Sequence, residues 1–267
     1  IRVDYMEANV TYTAAVDSTK PAISIAFPSN LTNTTNTVLN VNATYSDASG
    51  ISAVWYNNDT NSAPNKSLGS GTTFFNITNL TWSQGTHNVT FYVNDTSGNE
   101  NYTSVTFMID SVLSAISILF PTTNNTNTTD TSYDINFTAS DTNLFNFWYS
   151  NDTNLVNKSL GVLGTQFNIT NLTWSQGNHN VTIYANDTFG NVNQSRISFT
   201  VDTTLPLVVI ATPTQNNTNS SNTGLDVNYT ATDSFTLIDS VWYANDTYSV
   251  ANKSLGTAGV FTNISNI

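Results

Sequence analysis

The chain has 267 residues with only 9% charged, against about 25% in an average soluble domain. Its 18 acidic and 6 basic residues leave a net charge of −12, which excludes a nucleic-acid partner because phosphates demand Lys and Arg. No apolar stretch is long enough to span a bilayer in this segment, and the absence of cysteine removes disulfides, thiol catalysis and Cys-based zinc sites. Polarity comes instead from 41 Asn, 45 Thr and 29 Ser, 43% of the chain. Leu, Ile, Val and Phe still make up 25%, enough for packed cores rather than disorder.

The predicted elements recur along the chain. WY stands at Trp55–Tyr56, Trp148–Tyr149 and Trp242–Tyr243, and NKSLG starts at Asn65, Asn157 and Asn252. ITNLTWSQG starts at Ile77 and Ile169, and a proline ends the first strand at Pro28, Pro121 and Pro213. The period is about 93 residues, far above a solenoid repeat and close to one immunoglobulin-type sandwich. In chain order, residues 1–17 read as the last strand of a preceding unit. Residues 18–110 and 111–202 are two units, closed by Asp110 and Asp202. Residues 203–267 are a third that stops unfinished, since Asn263 matches Asn76.

Within a unit the pattern has period two. LDVNYTATD (225–233) alternates Leu225, Val227, Tyr229 and Ala231 against polar residues, and HNVTFYVND (87–95) alternates Val89, Phe91 and Val93. Each marks a half-buried strand, and about seven such runs per unit lie between turn residues, with no helical periodicity. The expectation is an all-β chain of tandem immunoglobulin-like β-sandwiches. Strand exchange, with one copy's residues 1–17 completing another's third unit, is the alternative to a window on a longer array. It would leave the sixth strand missing, so the longer array is preferred.

The runs VDTTLP (201–206), HNVTIYANDTFGN (179–191) and VNQSRISFTVD (192–202), with HNVTFYVNDTSGN (87–99), resemble archaeal and bacterial surface proteins built from tandem immunoglobulin-like domains. The likeness covers nearly the whole chain. VDSTKP (16–21) and IDSVLS (109–114) depart from the VDTTLP pattern at the starts of the first two units. The resemblance implies the fold and a cell-surface context, archaeal when joined to the sequon load below.

N-x-S/T, with x not proline, is the acceptor for N-linked sugar. It occurs 27 times, against about 11 expected from the Asn, Ser and Thr counts. The acceptors are Asn9, Asn30, Asn33, Asn42, Asn58, Asn65, Asn76, Asn79, Asn88, Asn94 and Asn101. The series continues with Asn124, Asn127, Asn136, Asn151, Asn157, Asn168, Asn171, Asn180, Asn186 and Asn193. It ends with Asn216, Asn219, Asn228, Asn245, Asn252 and Asn263. On a strand, the Asn and the Ser or Thr share one face and x the other. In Asn88-Val89-Thr90, Asn180-Val181-Thr182 and Asn228-Tyr229-Thr230 the middle residue is apolar, so the acceptor faces out while x fills the core. The plainer alternative is that Asn and Thr merely suit loops and exposed strand faces.

Y-x-N-D-T places Tyr56, Tyr92, Tyr149, Tyr184 and Tyr243 two residues before Asn58, Asn94, Asn151, Asn186 and Asn245. Each ring then lies on the face of its acceptor and can pack against the first sugar. A tyrosine-corner role is the alternative. If Tyr56 faces out, Trp55, Trp148 and Trp242 face the core, with a carbohydrate platform as their alternative; Trp82 and Trp174 pack under a turn.

Asp17, Asp47 and Asp95 fall at a unit junction and in two loops expected at the same end of a sandwich, and Asp110, Asp141 and Asp187 repeat the set. Carboxylates gathered there suit Ca²⁺, although two or three are few for six to eight ligands, and Asp also caps turns without metal. His87 and His179 are equivalent positions that read as polar strand starts, and no second, unrepeated partner offers catalysis. Lys66, Lys158 and Lys253 read as exposed hairpin residues. The chain therefore reads as a non-enzymatic structural protein, its domains carrying covalent N-linked glycans in a fibre, stalk or surface layer made of copies of itself. A cell-surface adhesin for glycans or proteins of another cell is the alternative. Near-identical units favour the spacer, because an adhesin needs one specialised unit.

Overall fold

In the computed structural model the described residues are 1, 15–59, 66–70, 73–152, 154–161, 166–214, 219–221, 223–244, 253–256 and 262–264. Among them the chain is all strand and loop, and no helix is long and apolar enough to cross a membrane.

The first set of strands is β1 (Ala22–Phe27), β2 (Thr32–Thr34), β3 (Val41–Ser46), β4 (Ile51–Asn58), β5 (Lys66–Gly69), β6 (Phe74–Ile77), β7 (Gly85–Asp95) and β8 (Glu100–Ile109). The second repeats it: β9 (Ala115–Phe120), β10 (Thr126–Thr128), β11 (Ile135–Ser140), β12 (Leu144–Asn151), β13 (Asn154–Gly161), β14 (Gln166–Ile169), β15 (Gly177–Asp187) and β16 (Val192–Val201). The third comprises β17 (Leu207–Thr212), β18 (Val227–Thr232), β19 (Val241–Tyr243), β20 (Lys253–Gly256) and β21 (Thr262–Ile264).

Each complete set forms two sheets. In the first, β1-β3-β6 faces β2-β8-β7-β4-β5; in the second, β14-β11-β9 faces β10-β16-β15-β12-β13. In the first sandwich all neighbours are antiparallel except the short strand after the proline, which runs parallel to the last, with Thr32, Asn33 and Thr34 opposite Phe107, Met108 and Ile109; β10 runs parallel to β16 in the second. This is the immunoglobulin-like sandwich. It has eight strands where the period predicted about seven. The buried Pro28 ends β1 because proline has no N–H for the ladder, and the chain crosses to the other sheet as β2.

The alternating residues fill the space between the sheets. Val41, Ala43, Val89 and Phe91 are wholly buried, and Tyr56, Ile77, Trp82, Val105, Phe107 and Ile109 complete one core. Trp82 donates its indole N–H to the Leu39 carbonyl at 2.8 Å, and Trp174 repeats this on Tyr133 at 2.8 Å. The glycine of TWSQG lets the chain turn into β7 and β15: Gly85 and Gly177 have φ of 117° and 124°, where a side chain is strained. In the third set Val208, Ile210, Tyr229, Val241, Leu255 and Ile264 line an open apolar cleft of about 410 Å³.

The chain divides into two compact units. One is Ile1–Ser114 with Asp141–Phe145 and Asn186–Val192; the other is Ala115–Ser140, Asn146–Ala185 and Asn193–Ile267.

Candidate functional site

Among the described residues, outward strand positions and the loops beside them carry most of the sequons. On β7, Asn88 is exposed while Val89 is fully buried; on β15 and β18, half-buried Asn180 and Asn228 precede buried Val181 and Tyr229. Asn33, Asn76, Asn79, Asn127, Asn157, Asn168, Asn171 and Asn219 are exposed, and Asn42, Asn94, Asn101, Asn136, Asn186 and Asn193 are half-buried. Three acceptor pairs face each other across neighbouring strands: Asn42 with Asn76, Asn136 with Asn168, and Asn228 with Asn263. Asn9, Asn65, Asn216, Asn245 and Asn252 lie outside the described residues, as does the side chain of Asn263.

Local bonds set how some acceptors are presented. Exposed Asn30 accepts the Thr106 backbone N–H on Oδ1 at 2.9 Å, and Asn124 accepts that of Ser198 at 2.7 Å. Sugar attaches at Nδ2, so anchoring through the oxygen keeps the reactive atom of these two residues apart from the contact. Asn79 and Asn171 sit at left-handed turns, each with φ of 60°, a conformation asparagine tolerates. Asn101 donates Nδ2 to the Pro21 carbonyl at 2.8 Å, and Asn88, Asn79 and Asn171 donate theirs to the hydroxyls of Thr106, Thr78 and Thr170.

The Y-x-N-D-T motif has two orientations. On β7 and β15, Tyr92 and Tyr184 face out, on the side of Asn94 and Asn186. On β4 and β12 the expected face is reversed: Tyr56 and Tyr149 are 4% and 5% exposed, and Asn58 and Asn151 are 4% and 6% exposed. They share the core face with Val54 and Phe147, which fix the phase of the alternation. Burial also pushes the Tyr149 hydroxyl above its ordinary pKa. Consequently Trp55 and Trp148 are half-exposed on the outer face rather than buried in the core, and Trp242 is exposed. Trp55 lies parallel to Tyr92 at 5.7 Å, and Tyr102 continues the row beyond Tyr92 at 5.9 Å. The buried tryptophans are Trp82 and Trp174.

The two aspartate sets do converge. One carboxylate oxygen from each of Asp17, Asp47 and Asp95 lies within 4.8 Å of the others, and the same holds for Asp110, Asp141 and Asp187. Each aspartate also caps its own turn. Asp47 accepts the Ser49 N–H at 2.8 Å, Asp17 that of Thr19 at 2.9 Å, and Asp95 those of Ser97 and Asn99, both at 2.8 Å. Asn191 donates Nδ2 to Asp187 and to the Asp110 carbonyl, and Asn143 donates to the Asp110 carboxylate at 2.6 Å. For Asp95, burial opposes the charge, but the Asn99 side chain and the backbone N–H groups of Asn99, Ser97 and Gly98 outweigh it and hold its pKa below the ordinary value. Asp202, the third linker aspartate, is also held low, chiefly by the Thr204 N–H and then the Thr236 hydroxyl. Three oxygen-bearing side chains suit a hard divalent cation in kind, with the remaining ligands left to carbonyls or water.

The histidines are not plain strand-start residues. His87 is 3% exposed, its Nδ1 2.8 Å from Asp59 Oδ2 and its Nε2 2.9 Å from the Ser83 carbonyl. His179 repeats this with Asp152 and Ser175, both at 2.8 Å. Each imidazole thus bridges a carboxylate and a backbone carbonyl, tying the loop before its strand to the end of a neighbouring one. The recurring D-T and H-N-V-T runs carried this pairing, but a spacing of 28 residues between Asp59 and His87 shows no contact before the strands are paired.

No family model matches the chain, and no curated protein matches it. Among solved structures, the fibronectin(III)-like modules of Clostridium thermocellum CbhA match 67% of this chain and 94% of theirs, at 16% identity and TM-score 0.37. Domains A168–A170 of titin match 68% of this chain and 65% of theirs, at 8% identity and TM-score 0.41. A tetra-tandem repeat from the extending region of a large adhesion protein matches 93% of this chain and 66% of its own, at 17% identity and TM-score 0.31. At TM-scores below 0.5 these likenesses carry no argument of their own; the strand order and pairing described above make the chain all-β, with immunoglobulin-like sandwiches.

Proposed function

We propose that this chain is a structural extracellular protein, a densely N-glycosylated run of immunoglobulin-like domains in a fibre, stalk or surface layer built from copies of itself, most consistent with an archaeal cell surface. The observation that carries this reading is the alternation on β7, β15 and β18, where one short motif supplies core residue and outward acceptor together. Sugar replaces charge as the solubilising group, and it covers edge strands that otherwise pair with other chains. The aspartate triads serve as Ca²⁺ sites that stiffen the loops and linkers they join. Glycopeptide mapping and intact mass test the reading. The expected result is sugar at many of the exposed acceptors and a mass well above that of the polypeptide; bare asparagine at Asn30, Asn88, Asn124 and Asn168 refutes it.

A further inference from the structure

Trp55 and Trp148 each have one face covered by a tyrosine, and the strand register identifies what stands beside the other. In the second sandwich the Trp148 indole lies on Tyr184, with 5.4 Å between centroids and 5° between planes. This covers the side toward β15. On the other side β13 places Ser159 opposite Trp148, and a hydroxymethyl group leaves an indole face bare. Asn157, exposed, stands two residues before Ser159 on β13, so strand alternation sets it on the face of Ser159, at the edge of a register shift between Tyr149 and Asn151. It is the diagonal neighbour of Trp148, about 7–8 Å away, a separation that aromatic and long side chains reach across.

The arrangement recurs. Trp55 is stacked on Tyr92 and paired with Ser67, and Trp242 is paired with Ser254. The equivalent acceptors Asn65 and Asn252 lie outside the described residues but belong to the same NKSLG run. All three NKS sequons end in Ser, whereas most others in the chain end in Thr. The third sequon residue here is the one facing the indole, and the extra methyl of Thr would press on that ring.

We infer that the first sugar on Asn157 folds back across Ser159 and rests its C–H face on the open face of Trp148. This rests on the glycosylation reading above. A pyranose has an apolar C–H face and a polar rim, which matches a half-exposed indole whose other face is already stacked. Tyr149, on the opposite face of β12, takes no part. The pairing explains why WY and NKSLG recur together: one supplies the platform and the other the ligand, one strand apart.

The test uses the secreted, glycosylated chain. Site-resolved glycopeptide mapping first reads Asn157; an empty Asn157 overturns the glycosylation reading at this residue and the stacking with it. With Asn157 occupied, nuclear Overhauser contacts are expected between the Trp148 indole and the C–H protons of the first sugar. Their absence overturns the stacking and leaves glycosylation standing. In a double-mutant cycle, Asn157→Gln lowers the thermal midpoint of the second sandwich by about 2–4 °C, and the loss vanishes in a Trp148→Ala background. An equal loss in both backgrounds refutes the contact.

Discussion

Replacing Trp82 with Phe tests which tryptophan holds the first sandwich together. Trp82 is 2% exposed, meets Phe107 edge-on at 4.9 Å, and donates its indole N–H to the Leu39 carbonyl at 2.8 Å. Phenylalanine keeps a ring but has no donor. The buried carbonyl then lacks its partner, at a cost of about 1–3 kcal/mol. The smaller ring leaves a void that adds about 1 kcal/mol. The total, about 2–4 kcal/mol, lowers the midpoint of a domain this size by roughly 10–20 °C. Trp55→Phe, on the outer face, keeps its stack on Tyr92 and costs under about 1 kcal/mol. Calorimetry of the multi-domain chain resolves which transition moves: Trp82→Phe shifts that of the first sandwich, and Trp174→Phe that of the second. If Trp55→Phe costs as much as Trp82→Phe, the assignment of faces on β4 is refuted.

Three further outcomes follow from the same geometry. Asn58 and Asn151 stay unmodified in the folded protein despite complete sequons, because their side chains are buried; sugar at either residue in site-resolved mapping contradicts the core placement of β4 and β12. The depressed pKa of Asp95 means the folded state binds that proton more weakly than the unfolded chain. Its stabilisation is therefore complete above the unfolded value, near 3.8, and is lost as pH falls through the lower folded one. Asn99→Ala removes one of the bonds that lower it, so acid unfolding followed by circular dichroism should begin at higher pH; an unmoved acid limb counts against this account. Calcium at 100 times its dissociation constant adds about 2.7 kcal/mol to whatever binds it, so CaCl₂ should raise the thermal midpoint and Asp187→Asn should diminish the rise. A midpoint indifferent to both CaCl₂ and chelator removes the metal from the proposal.

The parts of the fold legible in the sequence were those written in strict alternation. Val89, Phe91 and Val93 stand among polar residues, so only one phase buries them, and the outward placement of Asn88 follows. On β4 the run Val54-Trp55-Tyr56 is apolar at every position, and alternation alone does not say which ring is inside. Tyr56 shares its face with the Asn58 acceptor, and expecting that acceptor outside put the ring on the wrong face; in the fold both lie in the core with Val54. The aspartate clusters were legible because loops at one end of a sandwich gather in a fixed way. The His87–Asp59 contact was not, since it depends on β4 and β7 lying in register, with Asn58 opposite Val89. The NKS acceptor beside Trp148 was hidden for the same reason.

The parallel pairing of β2 with β8 has a mechanical consequence. β2 follows the entry of the chain into the first sandwich and β8 leads to its exit. A pull on the two ends therefore slides these strands past each other instead of peeling them apart. The bonds from Leu31 N–H to the Thr106 carbonyl at 2.7 Å and from Asp110 N–H to the Thr34 carbonyl at 3.0 Å are loaded together. Asn30 adds a rung beyond the backbone ladder through its side-chain oxygen. β10 and β16 repeat the arrangement, with Asn125 to Ser198 at 2.7 Å and Asp202 to Thr128 at 2.9 Å. Rupture under tension then requires several hydrogen bonds to break at once, so these two sandwiches resist stretching along their length more strongly than their equilibrium stability alone implies.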